Sequence, residues 1–523
     1  MRRTSLLLLS CTLIVSAFGS LSPVRAASSA LGRVDFPTTA SPEAQAHFLR
    51  GVAALHSFWY DEAADAFREA QKVQPGFALA YWGEALTYDH PIWGEQDMDA
   101  ARQALERLGP TAEARAAKAG DDRERGWLAA AEALYGEGEK SVRTRAYAEA
   151  MRQLYERWPD DLEAASFYSL ALIGPALTAD GGPLGEPRER LLMRAAAILE
   201  EKADRNPEHP GVLHYLIHAY DDPTHAPLGL RAARTYARVA PEAHHALHMP
   251  SHIFVQLGQW DQVVASNEAA WAASVAWTAR RGLPIEKRDF HSLSWLAYAY
   301  LQQGRTEKAR EILEIARRDA RESGNARVAS TLASMEARHL IETGTWTEAK
   351  LPAAPAQAEG EADPAHACHP TGPGDWTMAF TAGLAAGRRG DAAAAEEALA
   401  LLRRLPAGVY GGGVSSILEK EIEGLARLAR GKDEEGLALL AEAADAEAAM
   451  TAPSGPPDLL KPALELHGEV LLERGKAEEA LRQLQRSLLR MPNRTASLRA
   501  AAQAAARLGR EEEARRYTAS LPK

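Results

Sequence analysis

Ala44 to Phe77 reads AQAHFLRGVAALHSFWYDEAADAFREAQKVQPGF, with small and large residues where two packed helices need them. Gly51 is the eighth residue of the stretch, Ala63 the twentieth, Phe67 the twenty-fourth, Ala70 the twenty-seventh and Pro75 the thirty-second. Small residues at the eighth and twentieth positions let the two helices approach closely. A large residue at the twenty-fourth fills the space between one helical pair and the next, and proline at the thirty-second ends the second helix.

The pattern returns along the chain. Counting from Phe290, Leu296 is seventh, Ala297 eighth, Tyr300 eleventh, Ala309 twentieth, Leu313 twenty-fourth and Ala316 twenty-seventh. Counting from Lys461, Gly468 is eighth, Leu471 eleventh, Ala480 twentieth, Leu484 twenty-fourth and Pro492 thirty-second. Weaker copies begin near 78, 162, 210, 244, 330, 376, 417 and 495, with a degenerate one near 127. A fixed period sustained over most of a chain is the signature of a repeat array. These residues resemble the tetratricopeptide repeat, a helix–turn–helix unit, and the first half is similar to exported bacterial repeat proteins of unassigned activity. The resemblance implies an all-α, right-handed superhelical solenoid of about 10–12 helical hairpins with a concave groove, and a peptide or protein partner by default.

Lys350 to Asp375 breaks the period with a Pro-, Ala- and Gly-rich stretch. It reads as a linker (350–375) between an N-terminal array (41–349) and a C-terminal array (376–523). Most Trp, Tyr and His belong to the first array, so binding chemistry is expected there and scaffold in the second. The turn-rich Pro453 to Pro457 reads as a connector, with a lid over the groove as the alternative.

Residues 1–26 read as a secretory signal: Arg2 and Arg3, an apolar run from Leu6 to Leu21, and Val24-Arg25-Ala26 as the cleavage site. The mature chain is then expected to be periplasmic or secreted and without a membrane span, with a lipoprotein anchored at Cys11 as the lesser alternative. Losing Arg2, Arg3 and Arg25 takes the formal charge from −11 to −14, which argues against nucleic acid and anionic lipid as partners. Only Cys368 would remain, so no intramolecular disulfide is available and stability must come from packing.

Chemistry concentrates between His209 and His252, where eight of the sixteen histidines fall within 44 residues. His214 and His218 are spaced i, i+4, as are His248 and His252, and His245 precedes His248 by three; such spacings share a helix face. In the repeat that this chain resembles, positions 2, 5, 9, 12 and 13 of a unit line the groove. That carries over to His214, His218, Asp221 and Asp222 in the unit from Pro210, and to His245, His248 and His252 in the unit from His244. It also places Trp82, Asp89 and His90 in the unit from Ala78, and His291 and Tyr298 in the unit from Phe290, as ligand contacts. Neutral imidazoles suit a divalent transition metal, copper or zinc for an exported protein, with Asp221 as a further ligand or as the orienter of one. The expectation is that the five histidines converge within about 6 Å of one point. Met249-Pro250 interrupts their helix, and the break either spoils that convergence or creates it.

Enzyme signatures are missing. His214 to His218 lacks the glutamate of a zinc-protease helix, no G-x-S-x-G occurs, and Gly136 to Ser141 has the wrong glycine spacing for a phosphate loop. Ala365 to His369 has one cysteine where haem attachment needs two. The residues therefore support an exported binding or scaffold protein with a histidine-rich groove for a metal and for a peptide, protein or small molecule. The alternative is a metal-dependent hydrolase or oxidase on the same scaffold.

Overall fold

The computed structural model describes residues 30–178, 182, 184–352, 374–405 and 411–522. The signal-like segment, Cys11, and His366, Cys368 and His369 of the linker lie outside the described residues. Helices follow one another in antiparallel neighbours from Pro42–His56 to Glu511–Ala519, each packing chiefly on the next, which is an all-α solenoid of helical hairpins. The described residues add one two-stranded antiparallel ribbon, in which Asp89 faces Gln96 and His90 faces Glu95. No helix among the described residues is long and apolar enough to cross a membrane.

The repeat residues do what their sizes require. A Cβ on Gly51 would stand 2.7 Å from the Phe67 ring, and one on Gly83 would stand 2.3 Å from it, so Phe67 wedges between its own unit and the following one. Gly468 and Leu484 repeat the arrangement at 2.6 Å. Ala63, Ala309 and Ala480 are fully buried. Inner helices end on a left-handed glycine, such as Gly304 with φ 70° and Gly475 with φ 77°, a conformation that a residue with a side chain adopts only with strain.

The winding is tight enough for distant units to touch, and this closes what the sequence suggested would be an open groove. Helix Pro42–His56 packs on helix Pro210–Ala219. Trp277 Nε1 donates to Glu62 Oε1 at 2.9 Å while its ring meets Trp59 edge-on at 5.8 Å. At the other end, Asn493 Nδ2 donates to the Gln256 carbonyl at 2.8 Å and Thr495 Oγ1 to the Gln302 carbonyl at 2.8 Å. Gln256 Nε2 donates to the Pro453 carbonyl at 2.9 Å, Arg338 Nη2 donates to that of Pro457 at 2.6 Å, and Gly455 lies so close to Trp295 that a Cβ there would clash at 2.3 Å. The Pro453–Pro457 stretch thus forms part of a wall.

Candidate metal centre

Three consecutive inner helices carry the histidines. Helix Pro210–Ala219 starts with proline in its first turn and His209 as its cap, whose Nδ1 accepts from the Val212 N–H at 3.1 Å. The next inner helix is broken at Met249-Pro250 into His244–His248 and Pro250–Gln256, with proline opening the second piece. Helix Phe290–Gln302 is capped by Asp289, which accepts from Ser292 N–H at 3.0 Å and also holds His244 Nδ1 at 3.1 Å.

The five histidines gather around one space, with neighbouring ring centroids 4.8 to 6.1 Å apart. Joined by a sixth, His291, they divide into His214, His218 and His245 on one side and His248, His252 and His291 on the other, with the ligand nitrogens of each set within 4.8 Å of one another. In the first set, His214 Nε2 lies 3.1 Å from His218 Nε2 and 3.2 Å from His245 Nε2. In the second, His248 Nε2 lies 3.1 Å from His252 Nε2. Two nitrogens bound to one ion at about 2.0–2.1 Å and a near-tetrahedral angle sit about 3.3 Å apart. The observed separations fit ligand pairs around a single ion as well as N–H···N hydrogen bonds between the rings.

Proton positions sharpen the point. His214 Nδ1 donates to the His56 carbonyl at 2.7 Å, and His252 Nδ1 donates to Asp221 Oδ2 at 2.6 Å. His248 Nδ1 faces Asn267 Oδ1 at 2.7 Å, and the Asn267 amide nitrogen is spent on the Val263 carbonyl, so the ring donates here too. A neutral imidazole protonated on Nδ1 presents a lone pair at Nε2. His248 and His252 therefore aim two lone pairs at each other, which repel unless a cation, a proton or a metal ion, joins them. Burial pushes the His214 imidazolium down to about 3 and holds those of His218, His245 and His248 well below their ordinary value. Neutral rings are the ligating form.

Beneath the first set lies a buried group of a different kind. His56 Nε2 and His209 Nε2 donate to Glu163 at 2.6 and 2.8 Å, and His56 Nδ1 accepts from Tyr215 Oη at 2.9 Å. Every ring nitrogen in this trio already has a partner, so it is a satisfied network, and the carbonyl of its His56 orients His214. Burial alone would raise the Glu163 carboxyl, but His209 and His56 outweigh it and hold it down from 4.5 to about 2. A depressed carboxyl stabilises the fold above its unfolded value and loses that contribution as pH falls through its folded value. On the order of 3 kcal/mol of stability should accordingly disappear between about pH 4.5 and pH 2. Glu163→Gln should flatten that part of a plot of thermal midpoint against pH.

The structure places several expected ligand residues elsewhere. Asp221 is an orienting partner of His252 through Oδ2, and its Oδ1 is buried without a hydrogen-bond partner among the described residues. Asp222 is used within its own turn, on His225 Nδ1 at 2.6 Å. Trp82 is fully buried between Phe36, Trp127 and Phe167, and Tyr298 is buried against Arg494, because both lie on helix faces that pack inward rather than toward the chamber. His90 sits on the ribbon, stacked on Tyr60 and bonded to Glu95 at 3.1 Å.

His218, Asp221, His245, His252 and His291 line a cavity of about 740 Å³ together with Trp295, Arg288, Arg327, Arg338 and the loop from Ser454 to Leu460. A second, mostly apolar cavity of about 670 Å³ is lined by Phe58, Tyr60, Asp89 and Tyr147, and Trp93 borders both. Burial raises the Asp89 carboxyl there to about 6. Between the two sits Phe58, whose ring meets His214 at 4.3 Å and His245 at 5.6 Å, on a backbone held at φ 52°. A bulky side chain in the left-handed region is strained, and surrounding packing has to hold it.

No known family profile matches the chain, and no curated protein sequence matches it. Among solved structures it is similar to a human IFIT1 dimer with m7Gppp-AAAA, at 14% identity over 92% of this chain and 90% of that one, TM-score 0.36. It is also similar to the APC/C hetero-tetramer Cut9-Hcn1 (12% identity, 88% and 76% covered, TM-score 0.34) and to Ypp1 (10%, 90% and 75%, TM-score 0.44). With TM-scores this low, the fold assignment rests on the helix packing described above.

Proposed function

We propose that this chain is an exported helical-repeat protein that binds transition-metal ions in a histidine chamber and presents them to a small molecule in the adjoining cavity. The observation that carries the reading is the pair of three-histidine sets, each with the nitrogen spacing of ligands around one ion. Export rests on the signal-like residues 1–26. The array 41–349 would carry the site, and the array 376–523, joined to it by 350–375, would supply part of the chamber wall through Ser454 to Leu460. A cavity of about 740 Å³ walled by residues from distant units suits a small molecule better than an extended peptide. Arg288, Arg327 and Arg338 line it, so a ligand with carboxylate or phosphate character fits.

The second reading, a metal-dependent enzyme, has one observation in its favour. Three protein ligands leave a coordination position open, as in catalytic rather than structural sites, and His218, His245, His252 and His291 border the cavity.

Elemental analysis of the untagged full chain after incubation with copper or zinc tests both. Near-stoichiometric metal in the wild type is expected, with loss in a folded His245→Ala/His248→Ala/His252→Ala variant. A metal content that the triple variant leaves unchanged, or none in either protein, would overturn the reading. Turnover of candidate substrates by the loaded protein alone would favour the enzyme.

A further inference from the structure

The two histidine sets are the same site built twice. Counted within the unit that begins at Pro210, His214 and His218 are the fifth and ninth residues, and His245 is the second residue of the unit that begins at His244. His248 and His252 are the fifth and ninth of that second unit, and His291 is the second of the unit that begins at Phe290. Each set therefore takes an i, i+4 pair from one inner helix and a single histidine from the start of the next. The central, proline-broken helix contributes to both. The run stops at each end, since Gly211 occupies the second position of the first unit and Ser294 the fifth of the last.

Repetition alone would give two separate sites, but here the sets touch. The His218 ring lies 6.0 Å from that of His252 and the His245 ring 6.1 Å from that of His248, centroid to centroid. His218, His245, His252 and His291, two from each set, line one and the same cavity. Three imidazoles satisfy part of the coordination of one ion and leave room for a further ligand. Two such ions, side by side and open to a common space, can share that ligand.

We propose that the six histidines form one paired-metal centre, with an ion in each three-histidine set and a single small oxygen donor such as hydroxide bridging the two. The inference rests on the metal-binding reading above and adds stoichiometry and coupling to it. Paired ions about 3.5–4 Å apart clamp both ends of a reacting group, an arrangement beyond a single ion. Trp295 supports the second set, edge-on to His248 at 4.8 Å and tilted against His252 at 4.5 Å. Asp221 and Asn267 orient the same two rings from behind.

The test is copper(II) titration of the full, untagged chain, followed by elemental analysis and electron paramagnetic resonance. The expected result is two copper ions per chain with a spin intensity well below two, because bridged ions couple. His291→Ala removes an exposed ligand of one set and should leave one copper per chain with the full signal of one isolated spin. His245→Ala should do the same from the other set, and thermal melts of both variants show whether they remain folded. Absence of bound copper would overturn the metal reading itself. One copper per wild-type chain, or two with two full uncoupled spins, would leave that reading standing and overturn the pairing.

Discussion

Replacing Arg494 by methionine should cost about 3–5 kcal/mol of stability, because it strands buried carboxylates. Arg494 is buried and forks onto Glu465 through Nε at 2.7 Å and Nη2 at 2.8 Å, while Nη1 pairs with Glu342 at 2.7 Å. Lys461 Nζ and Ser497 Oγ complete the surroundings of Glu465 at 2.8 and 2.6 Å. Methionine fills much of the volume and none of the charge, so Glu342 and Glu465 would face the interior with fewer cations than carboxylates. Arg494→Lys keeps a charge without the fork and should recover only part of the loss. Thermal melts check the magnitude, and a shift too small to resolve would show that the network contributes little. Arg494 also reaches Tyr298 at 3.2 Å, which couples the end of the chain to the helix bearing His291. The same variant should therefore loosen copper binding.

Glu163→Ala is expected to act at a distance in the same way, from the opposite side of the centre. It removes two charge-assisted hydrogen bonds, each of about 1.5–3 kcal/mol, and opens a cavity beside His56 and His209. A loss on the order of 3–5 kcal/mol follows. His56 would then be held by Tyr215 Oη alone at its ring, and its carbonyl is what fixes the tautomer of His214. Outer partners of this kind change metal affinity about 10–100-fold. Titration should find copper affinity reduced in the set containing His214 and unaltered in the set containing His291. Unaltered affinity in both would mean that helix Pro42–His56 holds the carbonyl in place without the ring network.

Much of the fold was legible because the repeat writes packing into single positions. The Gly51–Phe67 and Gly468–Leu484 contacts are local, one hairpin wide, and a glycine opposite a large residue announces them. The histidine spacing likewise exposed five of the six candidate ligands. His291 entered the sequence reading only as a ligand contact, since its place in the second set depends on how three units stack. The division into two sets was equally hidden, although the count of positions within units contains it once the stacking is known. Phe58 and Glu163 had no signal at all, since each reaches the centre through contacts between units far apart in the chain, and Asn267 bonds His248 from the second helix of the same unit, where no ligand position was sought. Trp82 and Tyr298 misled for the opposite reason. A groove position in an open solenoid becomes a core position when the superhelix closes on itself.

That closure sets a clock. Hairpins bring together residues a few dozen positions apart, whereas the wall at Pro453 to Pro457 joins Gln256 across 197 residues and Arg338 across 119. Contacts between near neighbours form early, and those that close long loops form late. Inner helices with their imidazoles exposed should therefore exist before the chamber wall is complete. Metal that arrives in this interval meets every imidazole bare, and metal that arrives later reaches the buried rings only past exposed His291 on the cavity side. Loading the refolding chain should be fast and loading the folded apo chain slow, so the repeat that builds the centre also rations the time available to fill it.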